Sequence, residues 1–425
     1  MESKIKKLCK INKNSIKKDN YPNIIEYLDT KNLVNGEFKD IIKLNRISDK
    51  IPSRAKRIVQ KNDILISTVR PNQKHFGFIT NKQSNYIVST GFAVITPNQN
   101  LVNPYYLYKY LTLEKVTNYL QNIAENSTSA YPSIKPSVLG ELSIDLPSRS
   151  IQNFIANIFE KIDDKINLNK KIIKNLEELS QTLFKRWFVD FEFPDKDGNP
   201  YKSSGGEMID SELGEIPKNW NILTINDFAD DLIITGKTPS TKNKDNYSEK
   251  GIPFLTIPDM HTDVFSLNTI KYISEVGIEK VKNKIIPENS LCVSCIATPG
   301  LVSITSSETL TNQQINSFTP KKNDLYYLYF YIKNMKKYIE DLGSGGSATL
   351  NLNKTQFSKI KIIRPINDLL KKFHKCVDSN FKIILTKQKE NLKLQELRDT
   401  LLPKLMSGEL EIPDDVEVNT DELSI

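Results

Sequence analysis

LEELSQTLFKRW at Leu176–Trp187 and LQELRDTLLPKL at Leu394–Leu405 lie 218 residues apart and share Leu176/Leu394, Glu178/Glu396, Leu179/Leu397, Thr182/Thr400 and Leu183/Leu401. The match continues without a gap from Ser129–Trp187 onto Ser347–Leu405, and Pro147 and Pro365 each close a strand-like run, LSIDLP and IKIIRP. Further upstream it persists across small gaps. YYLYKYL (Tyr105–Leu111) echoes YYLYFYI (Tyr326–Ile332), VITPN near Pro97 echoes SFTPK near Pro320, and NDILIS (Asn62–Ser67) resembles NSLCVS (Asn289–Ser294). A repeat of this kind means one structural plan used twice: a mixed globular domain followed by a long helix.

The helical half reads from its apolar spacing. After Pro147, steps of four and three connect Ile155, Phe159, Ile162, Ile166, Asn169, Ile173, Leu176, Ser180, Leu183 and Trp187, a heptad-like seam with two polar interruptions. Roughly 39 residues at about 1.5 Å each make a rod on the order of 58 Å. The second copy, Asp368 to Met406, carries a looser stripe through Phe373, Val377, Phe381, Ile384, Leu394, Leu397, Leu401 and Leu405. Each stripe could pack on its own domain. Length and duplication favour pairing the two helices antiparallel, with Ile166, Ile173, Leu176, Leu183, Leu394, Leu397 and Leu401 in the seam.

The expected fold class is therefore α+β: two similar domains separated by two long antiparallel coiled-coil helices, related by a pseudo-twofold internal repeat. The boundaries read as a first domain over 1–147, a helix over 148–190, a linker over 191–212, a second domain over 213–365, a helix over 366–408 and an acidic tail over 409–425. Short β-like runs such as DILIST, GFAVIT, PFLTI and SLCVSCI fill both domains. The linker is dense in Gly, Pro, Ser and Asp. STSAYPS and GGSATLN, just before the last strand of each copy, read as loops.

In 425 residues, 59 Lys and Arg stand against 51 Asp and Glu, a net charge of +8 that favours polyanionic partners without requiring one. Lys4, Lys6, Lys7, Lys10, Lys13, Lys17 and Lys18 crowd the start, as a solvated face or a phosphate contact. No apolar stretch approaches the roughly 18 residues of a membrane span, and no signal-peptide core follows the lysines. A cytoplasmic location is expected. Cys9, Cys292, Cys295 and Cys376 lack the spacing of a disulfide framework. Cys292 and Cys295 form a CxxC, but strand alternation sends them to opposite faces and no second ligand pair accompanies them, so no metal is expected.

Signatures of catalysis are missing. GSGGSATLNLNKT ends in Lys354-Thr355, yet Asn353 stands where a phosphate loop needs glycine. There is no GxGxxG after a strand, no HExxH, no GxSxG and no Asn/Asp-Pro-Pro-aromatic methyltransferase signature. The carboxylate pairs Asp163-Asp164 and Asp230-Asp231 read as solvent-facing, although a nuclease assembled from scattered Asp, Glu and Lys would leave little local trace. No cofactor and no catalytic residue are expected.

LPSRSIQNFIANIFEKIDDKINLNKKIIKNLEELSQTLFKRWFVDFEFP with GGEMIDSELGEIPKNW resembles the central conserved region of type I restriction-modification specificity (S, or HsdS) subunits, and LRDTLLPKLMSGEL (Leu397–Leu410) resembles their C-terminal conserved region. The resemblance covers essentially the whole chain. It implies a non-catalytic subunit of a host-defence complex, with two target-recognition domains of the kind seen in adenine-N6 methyltransferases. Each domain would read half of a bipartite duplex target, while the helices set the gap and dock two methyltransferase (M) subunits, joined by restriction/translocase (R) subunits. The FKRWF and LPKL ends would be exposed contacts for the M subunits. Two departures stand out: no GEIPKNW-like lead precedes the first domain, and Gln152 is matched by Leu370 in the second copy.

Two readers on a rigid spacer suit duplex DNA, whose major groove recurs on one face every ~34 Å. Base readout needs polar and basic side chains on loops. In the first domain Ser67, Thr68, Arg70, Asn72, Lys74 and Ser129 qualify; in the second, Thr298, Asn312, Gln313, Gln314, Ser344 and Ser347. The tyrosines at 105, 106, 108 and 110 read as packing. Two other classes fit the same features: a recognition subunit of a methylating and cleaving system outside type I, and a helical scaffold that binds only protein. Selective, salt-sensitive binding to duplex DNA would exclude the scaffold, and the companion subunits would separate the first two.

Overall fold

A computed structural model describes residues 2–17, 20–83, 85–127, 131–261, 263–344 and 351–412. The chain divides into two compact units, Met1–Asp164 with Gln395–Ile425, and Lys165–Leu394. Most of the acidic tail, together with Ser129 and Ser347, lies outside the described residues.

In the first unit a four-stranded antiparallel sheet runs Cys9–Ile11, Phe92–Pro97, Ile64–Ser67, Phe76–Phe78. A second sheet runs Ile42–Asn45, Ile24–Leu28, Ile87–Ser89, Ala55–Ile58, with Ile87–Ser89 parallel to Ile24–Leu28. Leu28, Val59, Leu65, Val88, Phe92 and Val94 join the two sheets in one core. Glu2–Lys4 pairs antiparallel with Ser143–Asp145. Lys4 and Lys6 both close on Glu141 at 2.6 Å, so part of the basic start is tied down beside that pair.

The second unit repeats this order. Ile234–Thr235, Ile315–Phe318, Leu291–Ser294 and Val302–Thr305 form the first sheet, extended by a parallel Phe265–Ser266. The second runs Tyr247–Ser248, Tyr272–Ile273, Ile252–Leu255, Leu310–Thr311, with its parallel pair at the end where the first unit has it in the middle. Asn221–Thr224 pairs with Lys361–Arg364 as Glu2–Lys4 does with Ser143–Asp145. Cys292 and Cys295 do fall on opposite faces, in separate clusters. Burial, against the lowering hydrogen bonds with Ser317 and Asn316, lifts their thiols to about 12 and about 11. Asn353, in the near-miss phosphate loop, is a helix cap: its side chain accepts from Gln356 N at 2.9 Å at the start of Lys354–Ser358.

The first long helix is Arg149–Phe184, continued by a π turn over Lys185–Val189 and stopped at Phe191, whose φ of 59° is left-handed. The second is Asn367–Ser407, with Pro403 inside it and Gly408 (φ 75°) closing it. Within the second unit their stretches pair antiparallel. Asn169 donates to Asn391 Oδ1 and Asn380 to Ser180 Oγ, both at 3.0 Å, so rising numbers on one helix meet falling numbers on the other. Ile173, Leu176 and Leu183 pack there against a cluster containing Phe184, Phe188, Tyr327, Phe330 and Phe373. Ile166 and Leu394 are buried.

Three expectations are corrected. Leu397 is 46 % exposed, and Leu402 is buried rather than Leu401, because the inward face steps by four through Leu394, Arg398 and Leu402. Arg398 takes a seam position in order to reach Asp163 at 3.4 Å. Asp163 does not face solvent: Lys109 Nζ bonds to it and Tyr105 Oη donates to it at 2.6 Å. FKRWF is not an exposed end, since Phe184, Trp187 and Phe188 are core residues and Lys185, Arg186 and Val189 form its surface. In the second unit Glu177 holds Tyr329 Oη at 2.6 Å and bonds Lys333, so a helix carboxylate grips a tyrosine and a lysine of the tyrosine-rich helix in each unit. Tyr106, Tyr108, Tyr326, Tyr327 and Tyr329 are buried, which makes these helices packing elements. Gln152 is buried too, linking Asn103 N (2.9 Å) to the Pro147 carbonyl (3.0 Å).

Candidate nucleic-acid interface

Strand Ile64–Ser67 is wholly buried and ends in a loop with little freedom. Ser67 Oγ donates to Val69 O at 2.9 Å, Thr68 N and Oγ1 both donate to Gly91 O, and Ile134 N donates to Thr68 O at 2.8 Å. Val69 bridges Ser133, and Arg70 N donates to Pro132 O at 2.9 Å. These bonds hold Arg70 at φ 47° and Lys74 at φ 55° on either side of the turn Pro71–Gln73. A left-handed backbone is costly for any residue with a β-carbon, and such residues concentrate where a loop has a task.

The loop walls a cleft of about 400 Å³. Lys31, Arg54 and Arg70 bring three cations to it, and no carboxylate lines it among the described residues. None of the three makes an ion pair among the described residues. The Arg70 guanidinium lies over the Tyr131 ring, 5.3 Å from its centroid. His75 Nδ1 sits 2.8 Å from the Leu33 carbonyl, which can only accept, so Nδ1 carries a proton and Nε2 meets the Gln73 amide at 3.0 Å. A cationic concavity with an aromatic face and fixed amide groups has the elements of polyanion binding with orientation.

The second unit builds the same loop. Ser294 Oγ donates to Thr298 O at 2.6 Å, Cys295 N to Gln314 O at 2.8 Å, and Leu352 N to Cys295 O at 2.9 Å. Ile296 bridges Asn351, and Ala297 is left-handed at φ 64°. Gly300 must be glycine: at φ 85°, a β-carbon would lie 2.9 Å from Lys336 Cα. Beside this loop Asn312 and Gln314 bond each other at 3.0 Å, and Thr238 Oγ1 donates to the exposed Gln313 at 2.7 Å.

The expected readers are placed unevenly. Arg70 and Ser67 meet in the cleft, but Ser67 is buried and braces the loop. Thr68 is likewise committed to Gly91, Asn72 is exposed beyond Arg70, and Lys74 turns aside to Glu114 at 2.7 Å. Thr298, Asn312, Gln313 and Gln314 gather around the second loop, whereas Ser344 closes on Asp341 O. Lys31, Arg54, Gln73, His75 and Tyr131 were not foreseen. Lys31, Arg54 and Tyr131 come from separate segments, and Gln73 and His75 from the Arg70 segment itself.

The profile of the type I restriction modification DNA specificity domain matches residues 1–178 and again 217–395. The chain therefore belongs to the type I restriction-modification DNA specificity family. It is 37 % identical over 442 residues to the type I restriction enzyme HindI specificity subunit of Haemophilus influenzae, covering 92 % of this chain and 95 % of that protein. It is 28 % identical over 406 residues to the MjaIX specificity subunit of Methanocaldococcus jannaschii, covering 91 % and 87 %. A solved S subunit of a type I restriction-modification system from M. genitalium shares the fold, with a TM-score of 0.57, 16 % identity and 95 % of each chain covered. No helix among the described residues is long and apolar enough to cross a membrane.

Proposed function

We propose that this chain is the DNA-reading subunit of a type I restriction-modification complex, without catalytic activity of its own and acting in the cytoplasm. Residues 1–147 and 213–365 are its two target-recognition domains, each reading half of a bipartite duplex site. The helices over 148–190 and 366–408 hold the readers, the linker over 191–212 joins the copies, and 409–425 forms the tail. Two M subunits dock on the helices, with Lys185, Arg186 and Val189 on one and Pro403 and Lys404 on the other as surface contacts, and R subunits complete the assembly.

The observation that carries this reading is the duplicated loop with its left-handed residue, which in the first unit walls a cleft holding three cations. Replacing residues 213–365 by the corresponding domain of a relative and sequencing the host methylome tests it. One half-site should change and the other stay, and lengthening the first helix ahead of the linker should alter only the gap. Both half-sites changing together would refute independent readers. Turnover by the rigorously purified chain with S-adenosylmethionine, ATP and magnesium would refute the non-catalytic assignment.

A further inference from the structure

The two copies of the loop share a backbone as far as their first left-handed residue, and there they present different exposed side chains. Asn62 and Asn289 open the supporting strands with φ of 71° and 63°. Thr68 O accepts from Ile134 N, and Cys295 O from Leu352 N, partners 218 residues apart. Val69 bridges Ser133 and Ile296 bridges Asn351, again 218 residues apart on the partner side. Arg70 and Ala297 then occupy the same place with φ of 47° and 64°, both exposed. Neither copy uses glycine where glycine would relieve the backbone, so a side chain is kept there at a cost in both.

Resting on the DNA-reading function above, we propose that position 70/297 is a specificity-determining position, and that Arg70 reads a guanine in the half-site of the first domain. Guanine offers two acceptors, O6 and N7, on its major-groove edge, and the guanidinium fork matches them with two parallel donors. The Tyr131 ring and the bonded loop fix the plane of that fork. Lys31 and Arg54, on the same cleft and without fixed planes against a ring, serve the phosphates. In the second domain Ala297 offers only a methyl group, so the equivalent base pair meets an apolar contact of the kind a thymine methyl accepts.

The test is selection from a randomised duplex DNA library by the full chain, assembled with the subunits that co-purify with it. The wild type should enrich two half-sites, one with an invariant G·C pair. R70A should reduce the preference for guanine at that pair by on the order of tenfold to a hundredfold and leave every other position unchanged. Alanine already stands on this backbone at Ala297, so the variant keeps the loop. R70K, a point charge without a fork, should keep overall affinity and salt dependence while losing most of the discrimination. A297R should add a guanine preference in the other half-site. Unchanged base preferences in R70A, or uniform weakening across all sequences, would overturn the assignment and make Arg70 a phosphate contact. Enrichment of no sequence by the wild type would overturn the DNA-reading function itself.

Discussion

Lys109 is an ammonium almost wholly removed from water, with side-chain exposures of 6 % for it and 21 % for its partner Asp163. Burial outweighs the attraction of Asp163 and holds the Lys109 value below that of an ordinary lysine. Asp163→Asn keeps the shape and a hydrogen-bond acceptor but strips the counter-charge bonded to Lys109. Removing one member of a buried pair costs about 3–5 kcal/mol, and the partial exposure of Asp163 places this case near 3 kcal/mol. At roughly 2–4 °C per kcal/mol for a unit of this size, the midpoint should fall by about 6–12 °C. The pH dependence follows from the sign of the shift. Without Asp163 the folded-state value of Lys109 drops further below the unfolded one, so the unfolded chain binds more protons between the two values. Stability therefore rises with pH through that window, and the deficit of the variant shrinks toward the ordinary lysine value. Lys109→Met with Asp163→Leu, which removes both charges, should recover most of the loss. Thermal unfolding followed by circular dichroism from pH 7 to 10 measures all three. An Asp163→Asn protein within 0.5 kcal/mol of wild type at pH 7, by the about 1 kcal/mol scale of ordinary substitutions, or a deficit that does not narrow with pH, would refute the reasoning.

Asn169→Leu alone leaves Asn391 without its amide partner in the seam and should cost about 1–3 kcal/mol. Adding Asn391→Leu should restore stability but loosen the register. A Ser180→Cys/Asn380→Cys bridge should therefore form uniformly in the wild-type background and only in part with both leucines. His374 is buried against Tyr326, ring centroids 4.8 Å apart, and burial holds its value below the ordinary one despite Asp378. It contributes stability that is present above the unfolded histidine value and lost as pH falls through the folded one. His374→Phe should flatten the acid limb of the stability curve below about pH 6.5, measured by denaturant titration from pH 7 to 5; an unchanged limb would exclude His374 as its source.

The repeat and both helices were legible because apolar spacing and duplicated turns are local signals. Ile166, Ile173, Leu176 and Leu183 are placed by such spacing, and the structure packs or buries them. Leu397 was not, since the heptad count cannot know that Arg398 is drawn inward by a carboxylate more than two hundred residues earlier. The loops were locatable from strand ends, yet their polar residues could not be sorted. Ser67 and Arg70 look equally available in sequence, and the difference between a brace and an outward side chain is set by Val69 O, Gly91 O and Pro132 O. The cleft was invisible because Lys31, Arg54 and Tyr131 join it only through sheet order.

The bonds that hold the loops after Ser67 and Ser294 come mainly from main-chain groups and from side chains facing inward, none of them from the residue at 70 or 297 beyond its own backbone. The left-handed penalty is of similar size for most residues with an unbranched β-carbon, and larger for β-branched ones. Exchange among unbranched residues at that position is therefore nearly neutral for folding, as two residues so different as arginine and alanine in one chain illustrate. A lineage carrying such a socket can drift from one target word to another by single codon changes, with every intermediate still folded and still able to assemble.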